Sequence, residues 1–267
     1  MSTKIEWATE TWNPVTGCTP ISEGCQNCYA KRMANRLRGR CGYPADDPFR
    51  VTFHPDRLEQ PLKWKKPRKI FVCSMGDLFH REVVAEGTIM KIFYTMMDAG
   101  QHQYLLLTKR PRHMRLALDC FFDGSQPPEN WWLGVTAENQ KCADARIPVL
   151  LQIPAAVKFV SVEPMLGYVD LERLCYENGV CEIDALHGSH GVIRPHRGSN
   201  TSLDWVICGG ETGPGARPMK KEWVYGLRDQ CVNADVPFFF KKWGPDGRRD
   251  IDGEMWEQWP ERGKCER

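Results

Sequence analysis

Six short apolar runs separated by helix-like segments predict an α/β fold with a parallel sheet, arranged as a full or partial (β/α) barrel. The runs are residues 70–73, 104–107, 131–135, 159–162, 205–208 and 236–240, all rich in β-branched and aromatic side chains. None alternates with polar residues, which is how strands covered on both faces read. Residues 86–99, 112–122, 139–152 and 221–234 read as helices between them, and residues 4–8 add an N-terminal strand.

Composition bounds the rest. The 267 residues, 42% hydrophobic and 26% charged, suffice for one large domain with a substantial core. No apolar run approaches the ~20 residues of a membrane span, so a membrane partner is not expected. Twelve cysteines without a secretory signal point to a reducing, cytoplasmic compartment. A net charge of +2 gives no general argument for nucleic acid. Basic clusters do occur at 63–69, 109–112 and 241–243, two of them beside Trp64 and Trp243. They suit a solvated surface, or phosphates and bases.

In chain order, the first distinctive element is an eleven-residue loop that holds Cys18, Cys25 and Cys28. A helix over 29–37 follows, with Ala30, Met33, Ala34 and Leu37 on one apolar face and Lys31, Arg32 and Arg36 elsewhere. Three thiolates in one loop can hold a metal without help from distant residues. Structural zinc takes four ligands, and Cys41 is near enough in sequence to be the fourth, which leaves a zinc- or cluster-containing nucleic-acid-binding protein without radical chemistry as an alternative. An iron-sulfur cube has four iron corners, usually one cysteine each. With three supplied, one iron stays open for a ligand that is not protein.

Each strand then ends in polar residues, at the end where such folds place their chemistry. Ser74 to Asp77 follow one strand; Thr108, Lys109 and Arg110 the next; then Glu138, Glu163, the glycine-rich 209–217 loop and Lys241. Turn residues and helix caps would account for them individually; together they suggest a lined pocket. Gly209 and Gly210 would let backbone N–H groups approach an anion or an adenine edge. Glu163 and Glu211 suit a ribose hydroxyl or an ammonium group, Asp77 the same, and Lys109 or Arg110 a carboxylate. No residue identifies itself as a general acid or base. An insertion at 174–202, before the sixth strand, brings Cys175, Cys181, His187, His190 and His196, as a lid, a surface excursion or a second metal site. Residues 1–244 then form the barrel domain, and the 245–267 extension, with Arg248, Arg249, Trp256 and Trp259, covers one end of it.

Trp12 to Cys18, Ser74 to Phe79, Leu107 to Pro111, Ser161 to Pro164 and Val206 to Glu211 together resemble the radical S-adenosylmethionine superfamily, in a phage-associated branch with a three-cysteine motif. The resemblance covers residues 4–244. It implies a barrel of the radical S-adenosylmethionine type and a 4Fe-4S cluster on Cys18, Cys25 and Cys28, with S-adenosylmethionine on the open iron. A reductant supplies one electron, and the 5'-deoxyadenosyl radical produced takes hydrogen from a substrate. By strand position Tyr29 falls near the adenine, Ser74 to Asp77 near the methionine amino group, and Lys109 or Arg110 near its carboxylate. The usual superfamily spacing has three residues between the first two cysteines and an aromatic residue before the third. Here there are six, and that position is Asn27. Phage association and the basic clusters together make a nucleoside or a modified DNA base the expected substrate, with isomerisation of an amino-acid-decorated thymine as one version. The setting is the cytoplasm of a bacterial host or lysogen.

Overall fold

A computed structural model describes residues 5–176, 181–188 and 201–261. In chain order the first elements are β1 (Glu10–Trp12), β2 (Val15–Thr16), α1 (Tyr29–Arg36), β3 (Thr52–Phe53), α2 (Pro55–Leu58) and β4 (Lys69–Val72). Next come α3 (Arg81–Ala85), α4 (Thr88–Asp98), β5 (Gln103–Thr108), α5 (Pro111–Phe122), β6 (Trp131–Thr136), α6 (Gln140–Leu151) and β7 (Val157–Val162). The chain closes with β8 (Leu174–Tyr176), β9 (Cys181–Ile183), β10 (Trp205–Cys208), α7 (Lys221–Asn233), β11 (Phe238–Phe240), β12 (Asp250–Ile251) and β13 (Glu254–Met255). Seven strands line up in the order β1-β4-β5-β6-β7-β10-β11. This is the α/β fold with a parallel sheet that the apolar runs predict.

The chain forms two compact units, the first of residues 5–125 with 130–132, the second of 126–129 with the described residues from 133 onward. In the first unit β1, β4 and β5 pair in parallel, Glu10 opposite Ile70 and Ile70 opposite Tyr104. Trp12, Ile70, Tyr104 and Leu106 are buried on these strands. Helix α4 adds Ile89, Ile92, Phe93 and Met96, buried at the i, i+3, i+4, i+7 spacing of one helix face. The first strand begins at Glu10, and the described residues 5–8 lie outside it. Ala8 N–H donates back to the Ile5 carbonyl in a turn, and ladder pairing starts only when Thr9 N–H reaches the Lys69 carbonyl.

In the second unit β7, β10 and β11 pair in parallel, with Trp205 opposite Phe159 and Val206 opposite Phe238. Every residue of these three strands is buried, so both faces are covered. The described part of the insertion is a hairpin and not only a surface excursion. Leu174 and Ile183 face each other across β8 and β9, both buried, and Cys175 N–H donates to Asp144 on α6. His190 and His196 lie outside the described residues. The C-terminal segment runs along the edge of the sheet: Phe240 N–H donates to the Trp256 carbonyl, Gln258 N–H to that of Phe238, and Trp259 stacks on Trp205. An open parallel edge at β11 is thereby paired instead of left as a template for other chains.

Candidate functional site

The cysteine loop is seated by two glycines. Gly17 has φ +85°, and a Cβ there would lie 2.1 Å from the Arg50 carbonyl oxygen. A Cβ on Gly76 would lie 2.8 Å from the Gly17 oxygen. Both positions demand glycine, one for its backbone conformation and the other for close approach. The reward is contact between the start of the loop and the turn after β4: Gly17 N–H donates to the Met75 carbonyl and Cys18 N–H to that of Phe49. Asn13, just past β1, ties the same two segments. Its Oδ1 accepts from Met75 N–H at 2.9 Å and from the Ser74 hydroxyl at 3.2 Å. Within this turn Cys73 has φ +57°, a conformation that costs a non-glycine residue about 1 kcal/mol or more and persists only where the surroundings hold it.

All three cysteines are partly exposed and none is in a disulfide. Cys25 closes a single 3₁₀ turn (Glu23–Cys25), and Cys28 stands at the N-cap of α1. Cys18, Cys28 and Met75 pack on one apolar cluster of Ala30, Ala34, Tyr43 and Phe49 beneath α1. Tyr29, the first residue of the helix, is 57% exposed.

A charged relay grips this loop. Asp77, buried, accepts from the Thr108 hydroxyl at 2.7 Å and from Phe79 N–H at 3.0 Å through Oδ1. Through Oδ2 it accepts from Arg110 Nη1 at 2.8 Å. The same Nη1 lies 3.3 Å from Cys18 Sγ, and Nη2 donates to the Thr19 carbonyl at 2.8 Å and to its hydroxyl at 3.1 Å. His80 completes the ring of contacts. Its Nδ1 accepts from Glu82 N–H, so in the neutral ring Nε2 carries the proton and donates to the Thr19 hydroxyl at 2.9 Å. Burial, and then the Arg110 charge, keep that imidazole below its ordinary pKa. Burial and the Asp77 charge push the Cys18 thiol up to about 11, against the pull of Arg110. For Cys25 burial acts upward too, but hydrogen bonds from the backbone at Ile21 and Ser22 and the charge of Lys109 outweigh it and bring the thiol below its usual value.

The predicted residues thus fall into two groups. Cys18, Cys25, Cys28, Tyr29, Ser74, Asp77, Lys109 and Arg110 belong to the first unit, and Glu163, Gly209, Gly210 and Glu211 to the second. In the second group the carboxylates and the glycine amides have partners within the fold. Glu163 accepts from Lys241 Nζ at 2.7 Å. Glu211 is held by Arg217 through Nε, Nη2 and the backbone N–H. Gly209 N–H donates to the Val162 carbonyl and Gly210 N–H to that of Lys242. A Cβ on Gly210 would collide with the Trp243 carbonyl at 1.8 Å, so this glycine serves strand-loop packing. The tryptophans of the basic clusters are covered by arginine, Trp64 by Arg68 and Trp243 by Arg248. Asn13, Thr19, His80 and Thr108 carry contacts that the sequence pattern alone did not assign. Their signal is proximity in sequence to the Asn13-Pro14, Cys18 and Lys109-Arg110 motifs.

For a cluster, the donor set fits in chemistry: three thiols on one short loop, a guanidinium on one sulfur and an ammonium acting on another. Among the described residues no three His, Cys, Asp or Glu side chains converge into a group able to hold a metal ion. Cys41, the possible fourth zinc ligand, is exposed past α1, and its carbonyl accepts from Arg57. No helix of the described residues is long and apolar enough to cross a membrane.

No curated protein matches the chain, and no solved structure does. A family model described as "Protein of unknown function (DUF5131)" matches residues 2–260, nearly the whole chain, and by that match the chain belongs to the DUF5131 family.

Proposed function

We propose that the chain is a radical S-adenosylmethionine enzyme with a barrel of that type, that Cys18, Cys25 and Cys28 hold a 4Fe-4S cluster, and that the substrate is a nucleoside or a modified DNA base. The observation that carries this reading is the Arg110 guanidinium at 3.3 Å from Cys18 Sγ, oriented by Asp77 at 2.8 Å. A structural thiol needs no cation beside it, whereas three thiolates gathered in one loop repel one another and call for compensating positive charge. When bound, the cluster and S-adenosylmethionine supply one-electron cleavage of a sulfonium and a carbon radical that abstracts hydrogen.

The remaining steps belong to this chain's own residues. Arg110 fixes the first ligand and, through the Thr19 carbonyl, the course of the loop behind it. Asp77 and Thr108 lock the guanidinium, and Asn13 aligns the turn after β4 with the loop. Lys109 supplies positive charge toward Cys25. With Asp77 and Arg110 engaged on each other, both act on the cysteine loop as positioning residues in place of gripping the cofactor directly. Tyr29, exposed where α1 begins, offers a ring for stacking.

The test is anaerobic reconstitution, reduction, addition of S-adenosylmethionine and quantification of 5'-deoxyadenosine, with Cys25→Ala alongside. The wild-type protein should bind about four iron and four sulfide per chain and release 5'-deoxyadenosine, and the variant should lose both. Stoichiometric zinc without sulfide would replace this reading with the metal-binding alternative.

A further inference from the structure

Residues 24–45 hold Lys31, Arg32, Arg36, Arg38 and Arg40 and not one Asp or Glu. These five give the segment a charge of +5 in a protein whose net charge is +2. The helix sorts it. Ala30 and Ala34 are buried on the apolar cluster with Leu37, while Lys31, Asn35 and Arg36 are exposed on the opposite face.

Some of this charge has a structural explanation. Arg38 Nη1 donates to the carbonyls of Ala45 at 2.7 Å and Asp46 at 3.0 Å, and Arg40 to that of Arg36 at 2.7 Å, cations placed where a helix C-terminus favours them. Lys31 and Arg36 have none: among the described residues neither side chain makes a hydrogen bond or an ion pair. Lys31 and Arg32 moreover stand in the first turn of α1, which contains no acid and where the helix dipole disfavours cations.

We propose that the solvent face of α1, continued by the Arg38–Arg40 turn, docks the phosphate backbone of a nucleic acid. On this view the protein works on a polymer and not on a free nucleoside, an inference that rests on the nucleoside or DNA-base substrate proposed above. The dimensions suit it. From Lys31 to Arg38 the chain advances about 10 Å along the helix axis, which matches about three nucleotides at 3.4 Å each along one strand. Nucleic acid is favoured over an acidic protein because the run of basic side chains begins beside the exposed Tyr29 ring, and basic charge next to an aromatic face suits a phosphate backbone and a base.

The test is fluorescence anisotropy with labelled oligonucleotides of about 20 nucleotides, single-stranded and duplex, from about 50 to 200 mM salt. Binding is measured on both the cluster-free and the reconstituted protein. Lys31→Glu/Arg36→Glu should bind at least about tenfold more weakly, and the slope of log K against log salt should become shallower by about 2, one for each lost phosphate contact. Lys31→Gln/Arg36→Gln should show the same shallower slope with a smaller loss of affinity. Iron content and far-UV circular dichroism should match the wild-type protein in both. Absence of binding to either oligonucleotide at low salt, or an unchanged affinity and slope in both variants, would overturn the proposal. So would loss of iron with DNA affinity retained, since the charges would then serve the cysteine loop. Tight capture of polyglutamate in place of DNA would assign the surface to an acidic protein. Binding by the cluster-free protein is independent of radical chemistry, so failure of the enzymatic reading and failure of this one leave different results.

Discussion

Charged side chains at strand ends behave differently in the two units. In the second unit Glu138 meets Arg146 at 2.7 Å, Glu163 meets Lys241 and Glu211 meets Arg217, and the first of these pairs goes on to the Thr136 carbonyl and, through its carboxylate, to the Cys142 thiol. In the first unit the Asp77–Arg110 pair presents its cation to sulfur. Its guanidinium goes on to a cysteine sulfur and a loop carbonyl. A carboxylate beside a thiol disfavours its ionisation. A guanidinium favours the thiolate, and at Cys18 it opposes burial and the Asp77 charge.

The largest effect expected from this contrast is on stability. Arg146 also donates to the Thr136 carbonyl, and the Glu138 side chain is 0% exposed, so Arg146→Met leaves a carboxylate stranded in the core. The cost should be about 3 kcal/mol or more. Urea unfolding followed by tryptophan fluorescence should show a lower midpoint with an unchanged slope. Iron content after reconstitution should stay at the wild-type value, because nothing in this pair serves the cysteine loop. A stable Arg146→Met protein that fails to load iron would erase the contrast.

Arg110→Gln should act the other way round. It removes a buried charge-assisted contact to Asp77 and should cost about 1–3 kcal/mol, with the more telling change at the cluster. Withdrawing a cationic donor from a ligand sulfur favours the oxidised, less negative cluster, so the midpoint potential should fall. Arg110→Lys keeps the charge without the two-pronged grip and should restore the potential in part. Electron paramagnetic resonance of a redox titration reads both. An unmoved potential in Arg110→Gln would reduce the relay to the same structural role as the pairs of the second unit.

How much of this the sequence reveals follows from the range of the interactions. Strands buried on both faces announce themselves locally, and β10 at Trp205–Cys208 matches its apolar run residue for residue. Helix α6 begins one residue inside its predicted start because Asn139 is its N-cap and accepts from Cys142 N–H. The strand read into residues 4–8 fails because local pattern does not say where pairing begins. That is decided by Thr9, whose hydroxyl and backbone both bond to Lys69, sixty residues away. The site is legible in kind but not in wiring. Cysteine spacing marks the loop, yet Cys18 and Arg110 are 92 residues apart in sequence, and nothing local shows that Arg110 spends its donors on sulfur. Glu163 and Glu211 carry the same lesson, since nothing local shows that Lys241 and Arg217 reach them.

The smallest effect is the order in which thiols react. Alkylation requires the thiolate, so rate follows pKa and access. With its thiol near 11, Cys18 of the cluster-free protein is thiolate in only about one molecule in a thousand at pH 8. Cys25, held below its ordinary value, is ionised far more often. Cys208 and Cys231 in the second unit are buried with their thiols raised, and Cys142 is pushed to about 11 by burial and by Glu138. Iodoacetamide at pH 8 with peptide mass spectrometry should therefore label Cys25 ahead of Cys18, and leave Cys208 and Cys231 unmodified until unfolding. The pH profiles carry the sign. Cys25 labelling should level off at a lower pH than that of an ordinary thiol, whereas Cys18 labelling should keep climbing toward 11, where burial and Asp77 place its ionisation. If Cys18 reacted first, or if the two profiles coincided, the relay would not be setting the electrostatics of the loop. The distinction between a cation and an anion presented to sulfur would then fail at its source.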